Sequence, residues 1–95
     1  MSVQLNKPYK IVPRKHKKYG AHYNIPAEKS LVVPLKQLGE EVSCDVRWEN
    51  ENGELKELHN VIFVFENLVP LNSMIDDKLH EIWMHYYNNG AVDSV

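Results

Sequence analysis

From Val42 the chain alternates apolar and polar side chains, with Val42, Cys44, Val46 and Trp48 set against Ser43, Asp45, Arg47 and Glu49. A period of two marks a strand with one buried face. Asn50-Glu51-Asn52-Gly53 follows, a cluster of turn formers whose glycine can supply positive φ. Leu55 and Leu58 then lead into Val61-Ile62-Phe63-Val64-Phe65, a run too apolar to sit outside a core. The pattern predicts a hairpin centred on Val46 and Phe63, with Trp48 at least partly buried. Leu55 and Leu58 break strict alternation, which predicts a bulge between Glu57 and Asn60. Glu66-Asn67 reads as a turn, and Leu68-Val69-Pro70-Leu71 as a short last strand.

The flanking segments are less regular. Pro8, Pro13 and Pro26 interrupt residues 1–30, so that only a short edge strand is expected there, from Tyr9 to Val12. Leu31 to Leu35 is a candidate strand, and Pro34 within it predicts an edge position or a strand end. Gly39 closes that segment. A helix is expected over residues 73–89. Ser73 suits the N-cap, with Asp76 three residues on, and Asn88-Asn89-Gly90 is a stop. Ile75, Leu79, Ile82, Trp83 and Tyr86 recur on one face of it.

Together these elements predict one mainly β (α+β) domain over residues 1–95. Residues 1–30 form an irregular basic arm, 31–71 a β core, and 73–89 one C-terminal amphipathic helix. The core is read as a small, strongly bent antiparallel sheet of four or five strands, or as a closed barrel. The close succession of strands, the bent hairpin and the closing Asn67-Leu68-Val69-Pro70-Leu71 resemble the SH3-like and Tudor-like small β-barrels over residues 31–71. For a Tudor-type aromatic cage only Trp48 is suitably placed, since Phe63 and Phe65 read as buried. As a short, motif-poor, single-domain chain it also resembles the orphan proteins of bacterial mobile gene cassettes.

Composition narrows the class. Ninety-five residues bury roughly 60–65% of their unfolded surface, enough for one modest core. Neither Leu31-Val32-Val33 nor Val61 to Phe65 approaches the ~20 residues of a membrane span. Residues 1–6 lack the apolar region of a secretory signal, and one cysteine, Cys44, cannot form an internal disulfide. Both features predict a reducing cytoplasm.

The formal net charge is −2, but residues 1–30 carry seven of the eleven Lys and Arg and one acid, Glu28. Arg14, Lys15, Lys17, Lys18 and Tyr19 are therefore candidate nucleic-acid contacts, with cations on phosphates and a ring for stacking. Lysines lack the bidentate fork that reads base edges, so such binding would follow the backbone and not the sequence. The competing and favoured reading is a solvated arm, or one that covers the chain's own acidic face.

Other chemistry is thinly represented. His16, His22, His59, His80, His85 and Cys44 show no structural-zinc spacing, and neither metal nor cofactor is expected. Nucleophile elbow, glycine-rich phosphate loop and His-Glu-x-x-His motifs are missing from the sequence. Trp83, Tyr86 and Tyr87 are candidate partner-binding residues, because Trp and Tyr are enriched at interface hot spots. The plainer reading has Trp83 and Tyr86 anchoring the helix on the sheet, with Tyr87 on the flank. The functional expectation is a binding module for protein or small ligand, with a homodimer through the last helix or the strand at 31–35. The alternatives are a backbone-directed nucleic-acid binder through the arm and, after that, a small enzyme.

Overall fold

The computed structural model describes residues 2–12, 25–26, 29–72 and 74–88. Five strands, β1 (Tyr9–Ile11), β2 (Ser30–Leu38), β3 (Glu41–Glu49), β4 (Leu55–Val64) and β5 (Leu68–Pro70), form one antiparallel sheet in the order β4-β3-β2-β1-β5. A 3-10 turn (Phe65–Asn67) joins β4 to β5, and one helix, α1 (Asp77–Trp83), runs into a π turn (Met84–Asn88). The sheet does not close into a barrel, because β4 and β5 remain its two edges.

The hairpin forms as its alternation requires. Val42 pairs with Phe63, Cys44 with Val61, Val46 with Leu58 and Trp48 with Lys56. Between Cys44 and Val46 lies one residue of β3, facing two of β4, His59 and Asn60. This is the predicted bulge. Asn60 adopts φ 58°, left-handed backbone that asparagine tolerates well. The extra residue keeps Leu58 and Val61 on the same face although they are three apart. Positive φ at Gly39 alone is the pattern of a II′ turn, which closes β2 and β3 through residues 39–40.

Both faces of the sheet are used. Val32, Val42, Cys44, Val46, Val61 and Phe63 line an inner face together with Tyr9, Ile11 and Leu68. Strands four places apart share this cluster, so the sheet is strongly bent around it. Each fully buried aliphatic or aromatic side chain contributes about 1.5–3 kcal/mol. On the outer face Leu31 and Val33 receive Leu79 and Ile82 from α1. That explains why Leu31-Val32-Val33 is apolar without alternation, for it is covered from both sides.

Three expectations are corrected. Strand β1 is internal, paired with β2 on one side and β5 on the other. Strand β2 is likewise no edge, and it runs past Pro34 to Leu38. A register shift after Pro34 leaves Leu35 as an extra residue, so the proline is accommodated at a bulge. The helix is shorter than 73–89 and begins at Asp77. Ahead of it Asn72 organises a turn, its side-chain oxygen accepting from the Met74 N–H and its carbonyl from the Ile75 and Asp76 N–H groups. Ile75 thereby precedes the helix and is exposed instead of joining the stripe. The expected cap, Ser73, lies outside the described residues, and Asp76 occupies the N-cap position.

Candidate functional site

The polar residues of the hairpin's outer face meet the aromatic end of the helix. Counting outward from the 50–54 turn pairs Arg47 with Glu57, and both point outward beside Asp45. Val33 and Leu31 flank them on β2 as the floor under α1. Over this floor the π turn brings Tyr86 and Tyr87 onto Arg47. The guanidinium carbon lies 4.8 Å from the Tyr86 ring centre and 5.5 Å from that of Tyr87. Arg47 Nε donates to the Tyr87 hydroxyl at 3.1 Å, and Nη1 pairs with the Glu57 carboxylate. Trp83 stacks on Tyr87 with ring centres 5.2 Å apart and an interplanar angle of 18°.

A second group adjoins the first across the β4 bulge. His59 Nδ1 lies 2.9 Å from Asp45 Oδ1, and Nε2 lies 3.5 Å from Glu57 Oε1. The hydrogen bond to Asp45, then that residue's charge, then Glu57 hold the imidazole pKa above its ordinary value. At Arg47 burial opposes the charge, but Tyr87 and Glu57 outweigh it and raise the pKa further. Burial raises the Tyr87 phenol, against the pull of Arg47. Behind this surface Cys44 faces the core, and burial followed by the Asp45 charge pushes its thiol up to about 12. It is a packing residue, inert as a nucleophile in the folded chain.

At its other end the helix is fixed by Lys10, whose ammonium donates to Asp76 Oδ1 at 3.0 Å. Burial would raise the Asp76 pKa, but the Asn72 N–H and Lys10 together lower it. A cleft of about 530 Å³ opens beside this turn over Leu79 and Ile82. Its Glu49 is paired with Lys78 at 3.2 Å. Among the described residues, no group of three or more His, Cys, Asp or Glu is placed to hold a metal ion, and no helix is long and apolar enough to cross a membrane.

Comparison with family models, curated proteins and solved structures finds no match for the chain. The site therefore rests on its own geometry. Of the residues singled out in the sequence, Trp83, Tyr86 and Tyr87 are brought together here. The roles expected of the last two are exchanged, since Tyr87 is held against the sheet and Tyr86 is the exposed ring, at 42%. The physical cause is the π turn, whose wider i→i+5 spacing rotates the last residues relative to an α-helical stripe. Arg14, Lys15, Lys17, Lys18 and Tyr19 lie outside the described residues. Asp45, Arg47, Glu57 and His59 were not anticipated as a group. Their signal was the hairpin register, which sets 47 opposite 57 once the turn is centred on Asn52.

Proposed function

We propose that the protein is a small interaction module that acts by binding another protein through the Arg47–Tyr86 surface. The observation that carries this reading is the Tyr86 ring, 42% exposed and lying over the guanidinium of Arg47, which a carboxylate and a phenol already hold in place. Tyr, Trp and Arg dominate the residues at which protein interfaces concentrate their binding energy. A ring presented by a braced side chain loses little conformational freedom on binding. The bent hairpin and the short strand β5 after a 3-10 turn support the SH3-like reading over residues 31–71, as an open sheet and not a closed barrel. One buried thiol and no other cysteine favour a reducing cytoplasm as the setting.

A photo-crosslinking residue placed at position 86 tests the reading in the native host. The expected result is a discrete protein adduct at 86 that is missing when the same group stands at Lys56 and is lost on Arg47→Ala. Identical adduct patterns at 86 and 56 would refute it.

The concentration of basic residues in positions 1–30 favours a second reading, backbone-directed binding of nucleic acid by Arg14, Lys15, Lys17, Lys18 and Tyr19. Replacing the three lysines with alanine is then expected to weaken binding to unrelated sequences equally, each lost phosphate contact removing about 0.7–0.9 from the log–log salt slope. A wild-type protein that passes unretained through single-stranded and duplex columns at ~50 mM salt ends that reading.

A further inference from the structure

The helix covers only part of the outer face of the sheet. Beyond it the registers lay out a small grid in two rows. Lys36, Ser43 and Ile62 form one row across β2, β3 and β4, and Leu38, Glu41 and Val64 form the next. Leu38 is 68% exposed and Ile62 45%, both large apolar side chains on a regular strand. Five of these residues, all but Val64, line a shallow hollow of about 50 Å³. Among the described residues, neither Lys36 nor Glu41 has an ion-pair partner within the chain.

We propose that this half of the outer face is a homodimer interface, its occupant a second copy of the same chain. The charges of this surface are complementary to themselves. A two-fold axis lying in the face and crossing the strands between the rows exchanges one row for the other. Leu38 of one copy then lies along the aliphatic stem of Lys36 of the other, near the second copy's hollow, and Ile62 meets Val64. Ser43 faces the second copy's Glu41, and the Lys36 ammonium comes within reach of the same carboxylate. Each copy supplies one cation and one anion, so two otherwise unpaired charges per chain find opposite partners while Leu38 and Ile62 leave water. The interface is small, which sets it in the weak class. It does not overlap Tyr86, so it stands or falls apart from the function proposed above.

Sedimentation equilibrium from about 10 μM to about 1 mM covers the range that so small an interface requires. The mass is expected to rise from one chain toward two. Lys36→Glu, which sets like charges opposite one another, is expected to weaken association about tenfold or more. The charge exchange Lys36→Glu with Glu41→Lys restores it, while far-UV circular dichroism and the melting temperature stay close to wild type throughout. A wild-type mass that remains at one chain over the whole range overturns the proposal and leaves the face to an unlike partner or to solvent. A dimer unaffected by Lys36→Glu and by Leu38→Asp overturns it as well, because the contact must then lie elsewhere.

Discussion

Replacing Arg47 with methionine removes the guanidinium and keeps most of the stem that packs beside the helix. Four contacts go with it. The hydrogen bond to the Tyr87 hydroxyl is 3.1 Å long and partly buried, and such a bond is worth about 1 kcal/mol net. The guanidinium faces two tyrosine rings, at 4.8 and 5.5 Å, each adding about 0.5–1 kcal/mol at a partly exposed site. The Glu57 carboxylate is half exposed, and pairs of that kind give at most about 1 kcal/mol. These contacts share one side chain and are not additive, so the expected loss is about 2 kcal/mol. With a urea slope near 1.5 kcal/mol/M, the unfolding midpoint drops by about 1.3 M. Tryptophan fluorescence follows the transition, because Trp83 stacks on the tyrosine that Arg47 holds. A cycle with Tyr87→Phe isolates the hydrogen bond and is expected to give a coupling of about 0.5–1.5 kcal/mol. A loss below about 0.5 kcal/mol for Arg47→Met, at unchanged slope, would mean that the sheet does not hold the aromatic end of the helix, and the surface proposed for binding would lose its brace.

Three further outcomes follow from single residues. His59 has a raised folded-state pKa, so its contribution is fully present below the unfolded value, near 6.5, and fades as pH rises through the folded value. Nuclear magnetic resonance titration of its ring should therefore show a midpoint above 6.5, brought down by Asp45→Asn, and an unchanged midpoint in that variant would refute the assignment. At Asn60, φ 58° is strained for residues with a branched or apolar side chain, so Asn60→Val is expected to destabilise by about 1–2 kcal/mol while Asn60→Gly is close to neutral in thermal melts. Cys44 should resist a thiol reagent at pH 8 in the native chain and react at once in denaturant, and rapid native modification would contradict its burial and its pKa of about 12.

What the sequence disclosed and what it withheld divide along one physical line, the reach of the interactions involved. Strands β3 and β4, their turn, and even the bulge at His59 and Asn60 were legible, because a period of two and its interruption are local properties of the chain. The strand at Leu68–Pro70 and the turn before it were legible for the same reason. Position in the sheet was not. Pro34 suggested an edge because a proline lacks an amide hydrogen. Whether a strand is an edge depends on which other strands come to lie beside it, and the segment that pairs with β2 on its far side is only three residues long.

The site illustrates the same division more sharply. Apolar spacing on the last helix set Ile75, Leu79, Ile82, Trp83 and Tyr86 on one stripe; Leu79, Ile82 and Trp83 are packed, while Ile75 precedes the helix and is exposed. It misassigned Tyr86 and Tyr87, since a helical pattern assumes that the helix keeps its pitch. Here the pitch changes at Met84. The residue that meets both tyrosines is Arg47, forty positions before Tyr87. Widening the last turn costs regular hydrogen bonding, and the Arg47 contacts with both rings are the compensation visible in the structure. The π turn is thus tied to the sheet by a side chain on a distant strand. The placement of Tyr86, on which the proposed function depends, is tied to the same side chain, and removal of Arg47 is expected to leave the ring exposed but no longer held over the sheet.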